Sequence, residues 1–358
     1  MTPPILAVLE EVLTRAAQCP TVECAEAEDL DVALITPRFA TSQNVVVVLV
    51  ARQTGRPIVI AKMPRLRGAG SPILHEARIL RSLQAVQPGG YSTIPRVLAV
   101  EQWAGRPVLV QTALVGTLID GGEVRRSGAA CIEDVLEWLY ELPTTPARGQ
   151  EQHPQLYDQL VREPLITLSD RFRRHGQDTA VIEHTLDLLE PLRTARLPLV
   201  FEHGDLNYPN ILRLDEGGVG VIDWELGEER SFPGRDIIFF LAFVAFARSR
   251  ARSRGQELAA LDDAYLARDA WARRIVGRYA DRLGIDRSLL TPLFVACWAR
   301  HATSWLVRLG DAGTEQTRAA VPRGAGPGEE AAVEYIQGNL SFAFWNEIVV
   351  HVDALRWD

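Results

Sequence analysis

Lysine is nearly absent from this sequence. Of its 38 basic residues one, Lys62, is lysine, and the remaining 37 are arginine. The lysine ammonium is a compact point charge, whereas the arginine guanidinium is a planar fork, so the two do not replace each other beside crowded oxygen atoms. We therefore expect Lys62 to serve chemistry that arginine cannot perform. The alternative is that a single lysine stands there by chance, and the surrounding pattern decides between the two.

A positive net charge and a long apolar run are lacking as well. The formal net charge of −8 argues against a nucleic-acid partner, because binding to nucleic acid normally needs a basic face. The longest apolar run, residues 237–247, is too short for a bilayer span of about 20 residues and indicates a buried helix. Glu10 and Glu11 stand where a signal peptide would be apolar. We expect a cytoplasmic protein without a membrane partner.

Cysteine is scarce, and its spacing does not suit a metal site. Two of the four cysteines, Cys19 and Cys24, could form a redox pair. Reduced thiols are the preferred interpretation for all four, because disulfides are rare in the cytosol.

The pattern of apolar residues changes along the chain. Residues 45–51 and 57–62 predict a β-hairpin around the turn Thr54-Gly55, and residues 73–83 have the apolar spacing of a helix. A strand is predicted at residues 107–111. Helices then dominate, at residues 132–141, 155–174, 179–195, 258–283, 289–309 and 329–350. A sheet region followed by a helical region predicts an α+β fold with a cleft between two lobes.

The most informative stretch extends from residue 199 to residue 225. A strand at 211–214, a turn at 215–218 and a strand at 219–222 predict a hairpin in which Ile211 lies opposite Ile222. Asn210 would then lie opposite Asp223, with the two side chains about 5 Å apart. Oxygen ligands at that separation suit a hard divalent cation, so Asn210 and Asp223 are candidate Mg²⁺ ligands.

Asp205 lies five residues before Asn210 in the same stretch. A carboxylate at this point can orient a hydroxyl group and accept its proton while Asn210 and Asp223 hold a metal on phosphates. Turn capping would be the better explanation for any of these residues alone. The complete spacing, from His203 through Asp205 and Asn210 to Asp223, favours catalysis.

This stretch resembles the catalytic segment of the aminoglycoside phosphotransferase and choline-kinase-like family, which has a protein-kinase-like bilobal fold. Gly204 stands where protein kinases have arginine in H-R-D, and Trp224-Glu225 stands where they have Phe-Gly. The resemblance implies that Asp205 is catalytic, and that Asn210 and Asp223 bind magnesium. It also implies that Lys62 contacts the α- and β-phosphates of a nucleotide. Glu76, fourteen residues later, would be its ion-pair partner.

The resemblance extends to the nucleotide site. It implies that the backbone groups of Gln111 and Ala113 pair with the adenine edge, and that Asp236 braces the catalytic loop. The loop over the phosphates departs from the pattern, because residues 37–44 contain no glycine; Ser42 and backbone amides would bind the phosphates there. The N-terminal, nucleotide-binding lobe would comprise residues 1–112, and the helical lobe, with the catalytic loop and substrate pocket, residues 113–358.

The predicted function is transfer of phosphate from ATP or GTP to a hydroxyl group of a small molecule. Candidate acceptors are an aminoglycoside or other antibiotic, a sugar, a nucleoside or an amino alcohol; the oligomeric state stays open. A protein kinase is disfavoured, because only twelve residues separate Asp223 from Asp236 and no A-P-E element follows. A pseudokinase would be expected to lack Lys62, Asp205 or a metal ligand, and this sequence has them all.

Overall fold

The computed structural model describes residues 30–35, 44–65, 70–144, 152–310, 329–355 and 357. These residues form two compact units. The first unit comprises Met1–Ile119 and Pro209–Gly227, and the second comprises Asp120–Tyr208 and Glu228–Asp358. The division of the sequence at residues 112 and 113 stays a prediction. Residues 1–18, whose sequence predicts an amphipathic helix, lie outside the described residues.

The first unit is built on a five-stranded antiparallel sheet. Its strands are β1 (Leu30–Ile35), β2 (Asn44–Ala51), β3 (Pro57–Pro64), β4 (Val97–Trp103) and β5 (Arg106–Thr112), in the spatial order β1-β2-β3-β5-β4. Helix α1 (Ser71–Val86) connects β3 to β4. The hairpin, the helix and the strand predicted in this region are confirmed as β2, β3, α1 and β5.

Alternation along β3 decides which side chains meet helix α1. Val59, Ala61 and Met63 point to one face, where they pack into a buried apolar cluster with residues of β2 and β5. Lys62 therefore points to the opposite face. Its partner across the ladder is Leu109, which packs against Ile73 of α1. The side chain of Lys62 therefore points toward helix α1.

A three-stranded sheet also belongs to the first unit. It consists of β6 (Gly116–Leu118), β8 (Ile211–Leu214) and β9 (Val219–Val221) in the order β6-β8-β9, and its strands β8 and β9 form the predicted hairpin. The predicted register is wrong by one residue, because Ile211 pairs with Val221 and not with Ile222. Gly217 and Gly218 both have positive φ, and the Leu214 amide donates to the Gly218 carbonyl at 3.2 Å. The two glycines allow a three-residue loop where four were expected.

Helices dominate the second unit. In chain order they are α2 (Gly121–Glu141), α3 (Pro154–Tyr157), α4 (Glu163–Arg174), α5 (Ala180–Thr194), α6 (Arg235–Ser249), α7 (Arg254–Leu261), α8 (Trp271–Leu283), α9 (Leu290–Gly310), α10 (Glu329–Gly338) and α11 (Leu340–Val350). A short antiparallel ladder joins β7 (Val200–Glu202) to β10 (Glu228–Ser231). Helix α6 is buried on all sides, as its apolar sequence predicts.

Two long helices predicted in this unit are each interrupted. The stretch at residues 258–283 breaks between α7 and α8, where Arg273 donates to the carbonyl oxygens of Ala267 and Arg268 and so stabilises the turn. The stretch at 329–350 breaks at Asn339, whose side chain accepts from the Ser341 amide and caps α11.

The α+β class predicted from the sequence is confirmed by the antiparallel sheets of the first unit and the helices of the second. Within the described part of the chain, no helix combines the length and the apolarity needed to cross a bilayer. Cys131 and Cys297 are buried and form no disulfide among the described residues, while Cys19 and Cys24 lie outside them.

Candidate functional site

Lys62 lies between two carboxylates of the first unit. Its Nζ atom donates to Glu76 Oε1 at 2.7 Å and Oε2 at 3.0 Å, and to Asp223 Oδ1 at 2.8 Å. Glu76 is fully buried on α1, whereas the Asp223 side chain is 39% exposed. The structure therefore brings together three predicted site residues that are 14 and 161 positions apart along the chain.

The charges in this triad hold Lys62 protonated. Burial alone would lower the pKa of Lys62, but the carboxylates of Asp223 and Glu76 outweigh it and raise the pKa above the ordinary lysine value. Burial pushes the pKa of Glu76 upward, and the attraction of Lys62 opposes this. Lys62 is thus a fixed cation at physiological pH.

The segment that carries Asp223 is attached to helix α1. The Trp224 amide donates to Glu76 Oε1 at 3.4 Å, and His75 Nε2 lies 2.7 Å from the Gly227 carbonyl oxygen. Asp223 itself adopts a φ of 70°, an unusual backbone conformation for a residue other than glycine. Such conformations persist where the surroundings enforce them, and they cluster at functional sites.

Asn210 and Asp223 do not pair across the hairpin as predicted. The Ile222 amide donates to the Asn210 carbonyl at 3.0 Å, so Ile222 lies opposite Asn210 and Asp223 follows one residue later. The structure describes no group of three or more His, Cys, Asp or Glu side chains that could hold a metal. An amide and a carboxylate oxygen nevertheless fit Mg²⁺, which commonly takes one or two carboxylates and fills its other positions with phosphates and water.

The loop that carries Asp205 belongs to the second unit. It begins after β7 and turns at Gly204, whose φ is 81°. The Asn207 Nδ2 atom donates to Asp205 Oδ1 at 3.2 Å and to its carbonyl oxygen at 3.1 Å, and the Asp205 amide lies 3.3 Å from His203 Nδ1. These contacts orient the carboxylate; its predicted catalytic role stays a prediction.

Asp236 is hydrogen-bonded to the backbone of this loop, as expected. Its two carboxylate oxygens accept from the His203 amide at 2.7 Å and the Gly204 amide at 2.8 Å. Burial, followed by the negative charge of Glu202, raises the pKa of Asp236 to about 7. Asp236 is therefore a support that titrates near neutral pH.

A buried ionic cluster next to this loop was missed by sequence reasoning. Glu202 accepts from Arg235 at 2.7 Å, from Arg300 at 2.9 Å on each oxygen and from Ser231 at 2.6 Å. Burial would raise the pKa of Glu202, but Arg300 and Arg235 lower it to about 2. Two signals were available: Glu202, a charged residue at the end of the apolar run 199–201, and Arg300, a charged residue inside the largely apolar helix α9.

Gln111 lies at the end of β5, and Ala113 follows directly after the strand. The Ala113 amide donates to the Ile58 carbonyl at 2.9 Å, which extends the pairing of β3 with β5. The Gln111 side chain is buried, and its Oε1 atom has no hydrogen-bond partner among the described residues. Pairing of Gln111 and Ala113 with adenine stays a prediction, and Ser42 lies outside the described residues.

Solved structures with a similar chain path include several phosphotransferases. An aminoglycoside phosphotransferase from Streptomyces rimosus is 18% identical, with 83% of this chain and 98% of that chain covered and a TM-score of 0.45. A macrolide 2′-phosphotransferase from Brachybacterium faecium is 16% identical, with coverage of 89% and 97% and a TM-score of 0.47. A choline kinase from Streptococcus pneumoniae is 12% identical, with coverage of 93% and 100% and a TM-score of 0.46.

No curated protein matches the chain significantly in sequence. A family model does match, over residues 42–275, and its description is phosphotransferase enzyme family. The match covers well over half of the 358 residues and contains Lys62, Glu76, Asp205, Asn210 and Asp223. It confirms the predicted enzyme class, a small-molecule kinase. The chain belongs to the phosphotransferase enzyme family.

Proposed function

We propose that this enzyme transfers the γ-phosphoryl group of ATP or GTP to a hydroxyl group of a small molecule. Asp205 orients the acceptor hydroxyl and accepts its proton, and Lys62 binds the α- and β-phosphates. Asn210 and Asp223 hold Mg²⁺, which neutralises charge on the phosphates when it is bound. Gln111 and Ala113 border the base.

The observation that supports this function best is the position of Lys62 between Glu76 and Asp223. Glu76 holds the ammonium in place with both carboxylate oxygens, and the exposed carboxylate of Asp223 lies on its other side. A phosphate group that enters beside Asp223 would meet one fixed positive charge from Lys62. Positioning and charge stabilisation of this kind supply most of the catalysis in phosphoryl transfer.

The acceptor belongs to one of four classes: an aminoglycoside or other antibiotic, a sugar, a nucleoside or an amino alcohol. A protein acceptor is disfavoured, because only twelve residues lie between Asp223 and Asp236. Trp224, which is hydrogen-bonded to Glu76, and strand β10 take up part of this segment, so little chain remains for docking a peptide. A nucleotide-binding protein without catalysis is disfavoured by the presence of Asp205 in an ordered loop.

The direct test is nucleotide consumption with a panel of compounds from these four classes, in the presence of Mg²⁺ and either ATP or GTP. We expect at least one compound to accelerate consumption and to gain the mass of one phosphate. A folded protein that binds Mg-nucleotide but phosphorylates no hydroxyl compound in a broad panel would contradict the proposal. Phosphorylation of a peptide in preference to every small molecule would favour the protein-kinase alternative.

A further inference from the structure

The buried carboxylate of Glu202 lies directly before the catalytic loop. Residue 203 begins the loop, so the backbone that leads to Asp205 continues from the residue held by the ionic cluster. Four groups converge on Glu202: Arg235 at the start of α6, Ser231 at the end of β10, and both terminal nitrogens of Arg300 on α9. The cluster thus joins three elements at the base of the loop.

The stability of the fold does not explain this cluster. Taking three charged side chains out of water carries a large desolvation cost, and well-packed apolar residues often give equal or greater stability. Glu202 and both arginines are each less than a tenth exposed, and Val200 and Phe201 beside them are apolar. A paired, forked geometry is instead suited to holding a backbone at one place.

The same cluster is connected to the second support of the loop. Arg235 immediately precedes Asp236, which binds the His203 and Gly204 amides. Helix α9 also contacts this point one turn earlier, where the Cys297 thiol donates to the Arg235 carbonyl at 3.7 Å. Displacement of Glu202 would therefore move the start of the loop at residue 203. It would also move Arg235 and, with it, Asp236, which binds the loop amides.

We propose that Arg300 is a positioning residue for the catalytic loop and acts on Asp205 through the carboxylate of Glu202. Arg300 is the bidentate partner of that carboxylate, whereas Arg235 gives it one nitrogen. The proposal rests on the proposed function of Asp205. A catalytic group displaced by about 1 Å can lose about a hundredfold in rate, so the contact affects turnover although Arg300 touches no substrate.

The test compares Arg300→Met and Arg300→Lys with a matched control, Arg278→Met. Arg278 forms an ion pair with Glu133 at 2.6 Å in the same unit, but that pair is exposed. We expect kcat to fall at least about tenfold in Arg300→Met, and by a smaller factor in Arg300→Lys, which keeps the charge and loses the fork. The Kd for Mg-nucleotide should stay unchanged, and Arg278→Met should match the wild type.

A pH profile separates positioning from a merely structural role. Asp236 faces Glu202, Arg235, Tyr279 and Cys297, and its pKa of about 7 responds to the charge of Glu202. Protonation of Asp236 removes an acceptor from the loop amides, so kcat should fall below about pH 7. Lysine at position 300 neutralises Glu202 less completely, so Arg300→Lys should raise the pKa of Asp236 and move the acidic fall in kcat to higher pH. Glu202→Gln removes the negative charge and should move this fall in kcat to lower pH.

Amide hydrogen exchange gives a readout that does not need an acceptor. Exchange at His203 and Gly204 should be faster in Arg300→Lys than in the wild type and unchanged in Arg278→Met, in protein saturated with Mg-nucleotide. If Arg300→Met does not fold, Arg300→Lys and Glu202→Gln decide. The proposal would be overturned if folded Arg300→Lys had the wild-type kcat, the wild-type pH dependence of kcat and unchanged amide exchange. Failure of the wild type to phosphorylate any compound would instead count against the proposed function, and exchange would still decide the role of Arg300.

Discussion

At the scale of single residues, Lys62 is held by two carboxylates of different exposure. Glu76 is fully buried and takes the ammonium with both oxygens, while Asp223 reaches it from a partly exposed position. The space between them fits one compact charge. A guanidinium group spreads its charge over a wider plane and would displace one of the two carboxylates.

We therefore expect Lys62→Arg to lower turnover at least about tenfold, through misplacement of the phosphates, although the chain uses arginine everywhere else. Lys62→Ala should be at least as impaired. Initial rates with saturating Mg-nucleotide provide the measurement. The reverse exchange at an exposed ion pair, Arg52→Lys beside Asp31, serves as the control and should leave the rate unchanged. Full activity of Lys62→Arg would refute the idea that this niche requires lysine.

Sequence reasoning found residues whose chemistry is local and missed those whose role depends on tertiary contacts. Asp205 and Asn210 lie five residues apart in one segment, and Lys62 lies in a recognisable strand, so pattern and spacing identify them. Arg300 lies about a hundred residues from Glu202, and no short-range spacing connects the two. A charged residue within an apolar segment was the only available sign.

At the scale of elements, the segment after β9 packs closely on helix α1. A Cβ atom added at Gly227 would lie 2.9 Å from Ile79 Cγ2 and 3.2 Å from the Trp224 carbonyl oxygen. Real Cβ atoms essentially never lie within 3.0 Å of another heavy atom, so either the Ile79 side chain or the segment would have to shift. The position of Asp223 depends on this contact, because the amide of the next residue, Trp224, donates a hydrogen bond to Glu76 on α1.

Gly227→Ala should consequently lower the free energy of unfolding by about 1–3 kcal/mol and weaken Mg-nucleotide binding. Gly89→Ala is the matched control in the same unit, since nothing lies within 4 Å of its added Cβ atom. Urea unfolding and calorimetric titration measure the two effects. A Gly227→Ala protein as stable as the wild type would show that the segment yields easily and that the contact does not position Asp223.

The hairpin of β8 and β9 shows which features of an element cannot be predicted from sequence. The strands and the turn were predicted at their places, but the register differs by one residue, which in an ordinary strand turns every side chain to the other face. The positive φ of Asp223 breaks that alternation just beyond β9. Aspartate adopts positive φ more readily than most residues other than glycine, but most aspartates do not, so its presence alone does not signal this conformation.

At the scale of the whole molecule, nucleotide binding should stabilise the folded protein. Ligand at a hundred times its Kd adds about 2.7 kcal/mol to the free energy of unfolding. We expect thermal melts to move upward with Mg-ATP or Mg-GTP and to move much less when the metal is chelated. Asp223→Asn should reduce the shift, because it removes a charge from the proposed metal site. Melts that do not respond to either Mg-nucleotide would contradict the nucleotide site as a whole.

The assignment of Asp205 as catalytic is the central claim, and one comparison tests it most directly. Loss of a group that acts on the acceptor hydroxyl lowers turnover and leaves nucleotide affinity intact. Asp205→Asn should therefore bind Mg-nucleotide like the wild type in calorimetric titration. It should phosphorylate an identified acceptor at least about a hundredfold more slowly. Wild-type turnover by folded Asp205→Asn would contradict the assignment.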